Sequence, residues 1–235
     1  MIRRGIVAID GPAASGKSST ARAVAERLGY SHLDSGALYR ALTWVAITEA
    51  GRRAPDTEPL AALAPALILR AAEDRGLQLL PDGAGFAPYL DGRPCEAEVR
   101  SAAATALVSA VSAIPVVREW VNAHLRELAR AGVGVVVDGR DIGTVVFPDA
   151  DLKVYLTATP EARARRRLLQ RGDAVEAAAL AREADLLARR DAADASRLVA
   201  PLRRPPDAVE LDTSAMAFGE QVDRIVALAR QALAD

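Results

Sequence analysis

The stretch GPAASGKS, Gly11 to Ser18, restricts what this chain can fold into more than any other feature. It matches GxxxxGK[ST], and it stands where that pattern has physical meaning. The apolar run Ile6 to Asp10 before it reads as a buried strand, and from Ser18 to Leu28 the residues Ala21, Val24, Ala25 and Leu28 recur at helical spacing, with Gly29 as a stop. Strand, loop and helix thus follow in order. Glycines let successive backbone N–H groups curl around a phosphate, and the helix N-terminus adds its dipole. Lys17 reaches β and γ oxygens, and Ser18 offers a hydroxyl to Mg²⁺. The expectation is a nucleoside triphosphate donor site.

The rest of the chain carries the same rhythm. Val133 to Val137 and Leu152 to Leu156 are continuous apolar runs suited to strands buried on both faces of a parallel sheet. A last strand is expected at Val209 to Leu211 and a closing helix at about Phe218 to Ala232. Alternating strands and helices imply an α/β fold with a central parallel sheet flanked by helices. Two short extended runs, Leu77 to Leu80 and Phe86 to Leu90, joined by PDGAG, interrupt that rhythm as a β-hairpin. The reading places a core at 1–36, 113–158 and 205–235, an inserted subdomain at 37–112, and an arginine-rich helical lid at 159–204. The alanine-rich stretches Ala102 to Ala106 and Ala177 to Ala181 read as helices, since alanine is the best helix former.

Composition narrows the function. A net charge of −1 gives no global basic surface for nucleic acid or anionic membrane. With 4% aromatic residues there is no cluster on which bases of a single strand could stack. A nucleic-acid motor or regulatory domain is therefore disfavoured. The only asparagine, Asn122, is followed by Ala123 and His124, so the NKxD element that reads guanine in GTPases is absent. The single Cys95 excludes an internal disulfide and every multi-cysteine metal site. The N-terminal apolar run is far shorter than a signal peptide requires, and no segment reaches membrane-spanning length, so a cytoplasmic monomer without membrane or nucleic-acid partners is expected. Of 30 basic residues only Lys17 and Lys153 are lysines, which makes each a candidate for a chemical requirement. His32 and His124 are expected to be structural.

Three further segments carry charge in patterns that suit phosphate chemistry. LDSGALYR, Leu33 to Arg40, is either a second anion site or an N-cap serine with a surface arginine. VVVDGRDIGT, Val135 to Thr144, ends an apolar strand in two aspartates flanking Gly139 and Arg140. At the carboxyl end of a parallel strand such residues point into a ligand crevice. Asp138 could organise the water shell of Mg²⁺ and Arg140 and Asp141 could hold an acceptor; the alternative is a solvated turn. In RRDAADASRLVAPL, Arg189 to Leu202, Arg190, Asp194 and Arg197 share one helical face, as a surface ion-pair ladder or as cations delivered to a transferring phosphoryl group. The cluster Arg163, Arg165, Arg166 and Arg167 has the same two readings.

Taken together and in this order, these motifs resemble bacterial cytidylate kinases of the P-loop nucleoside monophosphate kinase family. The resemblance covers essentially the whole chain. The family's phosphate loop matches Gly11 to Lys17, its LDSGxxYR element Leu33 to Arg40, its DGRDxGTVVFPxA element Asp138 to Ala150, and its RDxxDxxRxxxPL element Arg190 to Leu202. LDGRPCEAEVRS, with Val99 and Arg100, looks like the family's enlarged monophosphate-binding insert. One departure is Ala193 and Ala195, which stand where some members carry polar or basic residues and leave lid closure resting on fewer charges.

The resemblance implies transfer of the γ-phosphoryl group of ATP to CMP, and to dCMP, with Mg²⁺. It implies that ATP meets Gly11, Pro12, Ala13, Ala14, Ser15, Gly16, Lys17, Ser18 and Ser19, with Arg163 and Arg167 facing the triphosphate and 212–214 near the adenine. Ser18 would ligate Mg²⁺ directly and Asp138 through water. The cytosine edge would be read by Ser109, Arg118 and Asp141, since its N3 and O2 accept hydrogen bonds and its amine donates to a carboxylate. The monophosphate would lie near Ser35, Arg40 and Arg140, the sugar against Arg190 and Asp194, and Arg197 would complete the pocket. Lys17, Arg140 and Arg190 would act on the transferred group. The competing acceptor is UMP, whose O4 would meet the Asp141 carboxylate as repulsion. The CMP phosphate is already largely ionised near neutral pH, so no general base is expected and catalysis is alignment plus charge neutralisation.

Overall fold

The structure is a computed structural model that describes residues 5–53, 64–131 and 134–234. In chain order its elements begin with β1 (Ile6–Asp10), α1 (Lys17–Leu28), β2 (Ser31–Asp34), α2 (Ser35–Arg53), α3 (Pro65–Asp74), β3 (Gln78–Asp82), β4 (Gly85–Leu90) and β5 (Arg93–Pro94). There follow α4 (Glu96–Val99), α5 (Ala102–Val111), α6 (Pro115–Ala131), β6 (Val135–Gly139), a π-helical turn (Ile142–Val146) and β7 (Leu152–Thr157). The chain closes with α7 (Pro160–Arg171), α8 (Ala177–Ala195), β8 (Val209–Asp212) and α9 (Phe218–Ala232). Its backbone packs as two units, Met1–Leu33 with Ala129–Asp235, and Asp34–Leu128.

The first unit is built on a sheet in which β2, β6, β1, β7 and β8 lie side by side. β1 pairs in parallel with β6 on one side and with β7 on the other, and β8 extends the sheet parallel to β7. The apolar runs at β1 and β6 are continuous because both faces are covered, and every residue of β6 is buried. On one face Val7, Ile9, Val154 and Leu156 pack with Val24 and Leu28 of α1 and Val222, Ile225 and Val226 of α9. Each such side chain, fully buried, contributes on the order of 1.5–3 kcal/mol. The parallel arrangement brings the carboxyl ends of β1 and β6 level, with Asp10 opposite Gly139 and Ile9 opposite Asp138. Both charged carboxyl ends therefore emerge at the same edge.

In the second unit the hairpin expected from PDGAG is present. Asp82 faces Gly85 across a two-residue turn, and Gly83 takes the positive φ of 57° that such a turn favours. Cys95 is buried, its thiol donates to the Pro88 carbonyl at 3.3 Å, and burial pushes its pKa up to about 11. Among the described residues no single helix is long and apolar enough to cross a membrane. Val133, the expected start of the strand at β6, lies outside the described residues.

Candidate active site

The loop between β1 and α1 is shaped by positions that tolerate only particular backbones. Gly11 has φ 151°, and a Cβ there would sit 2.1 Å from the Leu156 carbonyl oxygen, so the strand-to-loop passage needs a residue without a side chain. Gly16 enters α1 at φ 93°. Between them Ala14 adopts φ 57°, a left-handed conformation that costs a non-glycine residue on the order of 1 kcal/mol and persists only where its surroundings hold it.

Those surroundings come from α7 and α8. Ala13 packs with Ala164 and Leu187. Its N–H donates to Asp191 Oδ1 at 2.8 Å, while its carbonyl accepts from Arg163 Nη1 at 3.0 Å. Arg163 and Asp191 are themselves paired, so one ion pair grips both sides of a single loop residue. Arg166 bonds the loop two residues farther on, donating to the Ser15 carbonyl at 3.1 Å and to Thr213 Oγ1 at 2.9 Å. The segment 212–214 is thereby tied to the loop. Arg167, half-buried, donates instead to Gln170 Oε1 at 3.1 Å.

Lys17 is buried inside the loop, its ammonium donating to the Pro12 carbonyl at 2.6 Å and Ser15 Oγ at 3.3 Å. Burial, and then the Arg140 charge, pull its pKa well below the ordinary lysine value, against the attraction of Asp138, Asp10 and Asp191. A bound polyphosphate would supply the missing negative charge. Ser19 Oγ donates to the Gly16 carbonyl at 2.9 Å.

Beside the loop, the exposed Ser18 donates its hydroxyl to Asp138 Oδ2 at 2.6 Å, and the other oxygen of Asp138 lies 2.7 Å from His32 Nε2. Burial opposes ionisation of Asp138, yet the bonds from His32 and Ser18 and the Lys17 charge hold its pKa below the usual carboxylate value. A hydroxyl and a well-ionised carboxylate side by side fit Mg²⁺ bound mostly through phosphate oxygens and water. Among the described residues no cluster of three or more His, Cys, Asp or Glu side chains could cage a metal by itself.

Farther along the same edge Asp194, 2% exposed, takes Arg140 Nε on one oxygen at 3.0 Å and Arg197 Nη2 on the other at 2.5 Å. Three residues chosen from sequence are thus one network, with Arg190, half-buried, on the same helix. Asp141 is buried at the start of the π-helical turn.

In the second unit Ser35, the first residue of α2, is buried, and Asp34 accepts from the Gly36 N–H at 2.8 Å and from Arg100 at 3.2 Å. Arg40 donates to Thr105 Oγ1 at 2.9 Å. Arg118 is buried; its Nη1 donates to the Ser112 carbonyl at 2.9 Å and its guanidinium lies 5.4 Å from the centre of the Tyr39 ring. Ser112 Oγ in turn donates to the Ser109 carbonyl at 3.1 Å.

Sequence reasoning gave Asp10 no role and His32 only a structural part, left Asp191 an unassigned position of the RDxxDxxRxxxPL element and Arg166 one member of an arginine cluster, and reached Thr213 only as part of 212–214. For His32 the usable signal was its place on a short strand before LDSG. His124 is structural, its Nδ1 2.8 Å from the Trp120 carbonyl and its ring stacked on that tryptophan. Lys153 Nζ pairs with Asp207 at 2.7 Å and its stem covers Gly143, a packing role. The first unit thus offers a glycine-shaped loop around a buried lysine, a hydroxyl–carboxylate pair and an arginine–aspartate network, groups that suit phosphoryl transfer.

Residues 7–231 match the family model described as cytidylate kinase. Among relatives, a cytidylate kinase of Streptomyces griseus is 42% identical over 224 residues, spanning 95% of this chain and 91% of that protein. One of Geobacillus kaustophilus is 43% identical over 234 residues, covering 98% and 99% of the two chains. A third, of Symbiobacterium thermophilum, is 46% identical over 222 residues, or 94% and 92%.

Proposed function

The chain belongs to the cytidylate kinase family, and from that membership we propose how its residues carry out the family's reaction. The protein is a kinase that transfers the γ-phosphoryl group of ATP to CMP, with dCMP as a further acceptor, giving CDP or dCDP and ADP. The observation that carries the donor half is the loop itself: a buried ammonium held by the Pro12 carbonyl and the Ser15 hydroxyl inside a glycine-shaped turn at the start of a helix.

In the proposed mechanism the loop from Gly11 to Ser19 wraps the donor phosphates and Lys17 bonds the β and γ oxygens. Ser18 and, through water, Asp138 would hold Mg²⁺, which would supply positive charge at the phosphate oxygens. Arg163 works from behind, fixing the loop through Ala13; Arg167 serves the triphosphate from the same helix. On the acceptor, Ser35, Arg40 and Arg140 take the monophosphate, Arg190, Asp194 and Arg197 the sugar and phosphate, and Ser109, Arg118 and Asp141 the cytosine edge. Asp194 also aligns Arg140 and Arg197, which keeps two cations pre-oriented for the charge that spreads over the transferring group. Lys17, Arg140 and Arg190 contact that group. No side chain has to remove a proton, because the attacking oxygen belongs to an ionised phosphate. The accompanying proposal is a cytoplasmic monomer acting on small molecules, with 37–112 as the monophosphate-binding insert and 159–204 as the lid.

A coupled assay of ADP release tests this reading. ADP should form rapidly with ATP, Mg²⁺ and CMP and only slowly when CMP is left out. Release at the same rate without CMP would sink the acceptor assignment.

A further inference from the structure

Asp10 is buried to 1% exposure at the end of β1, and no step of the proposed mechanism uses it. Its carboxylate accepts two backbone N–H groups from a distant loop, Oδ1 from Ile142 and Oδ2 from Gly143, both at 2.8 Å. These are the first two residues of the π-helical turn that follows Asp141. Within that turn Val145 and Val146 both donate to the Asp141 carbonyl, at 2.9 and 3.2 Å, and Phe147 donates to the Ile142 carbonyl. The start of the turn would leave its first amides without partners unless a side chain caps them.

An aspartate standing just before a helical turn ordinarily supplies that cap itself. Asp141 stands there, with φ −143° and ψ 25°, yet its side chain makes no capping bond. Asp10 does the capping from another strand. Only a carboxylate suits the position: it offers an acceptor to each amide and no donor, whereas a carboxamide would turn an NH₂ group against one of the two N–H groups. Asp10 is also the residue immediately before Gly11, so its backbone begins the phosphate loop while its side chain fixes the loop of Arg140 and Asp141. The two carboxylates are close enough that the Asp141 charge, after burial, contributes to raising the Asp10 pKa.

We infer that Asp10 is a positioning residue for acceptor-base selection: by capping Ile142 and Gly143 it keeps the Asp141 carboxylate out of the capping role and presented to cytosine. This rests on the reading that Asp141 accepts the cytosine amine. When Asp10 is lost, Gly143 becomes an uncapped buried amide, and the nearest replacement cap by ordinary helix-start chemistry is Asp141 itself. The carboxylate then turns inward, and discrimination against UMP goes with it.

The test is kcat/KM for CMP and for UMP, with ATP saturating, in wild type, Asp10→Asn, Asp141→Ala and the double variant. Asp10→Asn should lower the CMP to UMP ratio roughly tenfold or more, the loss expected for one charge-assisted hydrogen bond. In the Asp141→Ala background the same change should leave the ratio within about twofold, since both act through one group. An unchanged ratio in Asp10→Asn, or an equal fall in both backgrounds, overturns the inference. A wild-type ratio in Asp141→Ala overturns the base-reading role of Asp141 and this route with it. The capping is read separately by amide hydrogen exchange, which needs no variant that must fold: Ile142 and Gly143 should be protected in the unmodified protein. Rapid exchange at both would refute the cap whatever the kinetics show.

Discussion

Replacing Asp191 by alanine should destabilise the protein far more than its place on a solvent-facing helix would suggest. The carboxylate holds the Ala13 N–H at 2.8 Å and pairs with Arg163, whose side chain is 9% exposed and whose Nε makes no hydrogen bond. After the substitution Arg163 keeps only the Ala13 carbonyl, and a buried cation is left without its counter-charge. Removing one member of a buried pair costs about 3–5 kcal/mol. Asp191 itself is 16% exposed, so water can reach the vacated space and the loss falls to or below the bottom of that range, about 2–3 kcal/mol. For a chain of this size that corresponds to a fall in Tm of roughly 4–12 °C. The assay is thermal and urea unfolding of wild type, Asp191→Ala, Arg163→Met and the double variant. The double variant should recover at least half of the loss, because it carries no unpaired charge. A loss below about 0.5 kcal/mol in Asp191→Ala, or a double variant as unstable as the two single losses added together, would refute the reasoning.

Lys17→Ala should keep its circular dichroism spectrum and Tm within a few degrees while kcat falls on the order of a hundredfold or more, because the loop is built by glycines and backbone bonds and the ammonium acts on phosphate. His32→Ala should raise the Mg²⁺ concentration needed for half-maximal rate by roughly 10- to 100-fold at saturating nucleotides, since His32 orients the Asp138 carboxylate beside Ser18. Asp10 gives a pH signature in unfolding experiments. Burial pushes its pKa from the ordinary 3.8 up to about 6, so the folded chain takes up this proton first. The stability it contributes is complete below 3.8 and lost as pH rises through about 6. Wild type should therefore gain stability relative to Asp10→Asn as pH is lowered from 7 to 4.5, and a flat difference would contradict the assignment.

Local patterns carried much of this fold. The strand Ile6 to Asp10, the helix that stops before Gly29 and the closing helix from Phe218 to Ala232 lie where the apolar runs and helical spacing put them, because those signals sit within one element. The hairpin was equally legible, since its turn chemistry is contiguous. What the sequence hid were bonds between residues far apart along the chain. Asp191 lies next to Arg190 but about 100° around the helix, off the stripe on which spacing put Arg190 and Asp194, so periodicity gave no reason to single it out; Arg197, expected on that same face, lies beyond the helix, which ends at Ala195. Its partner Ala13 is 178 residues away. Asp10 looked like the polar end of a strand, and only the parallel pairing of β1 with β6 puts it against the turn after Asp141. The π-helical turn has no periodic signature at five residues, and β2, four residues with a histidine in the middle, falls below the length at which alternation can be read.

The central claim is that this chain moves the terminal phosphoryl group of ATP to CMP and selects it among monophosphates. The most direct measurement is product identification after a brief incubation with γ-labelled ATP, Mg²⁺ and an equimolar mixture of CMP, UMP and AMP. Nearly all transferred label should appear in the β-phosphate of CDP, with UDP a minor product. Label distributed evenly among the acceptors, or released as inorganic phosphate, would contradict it.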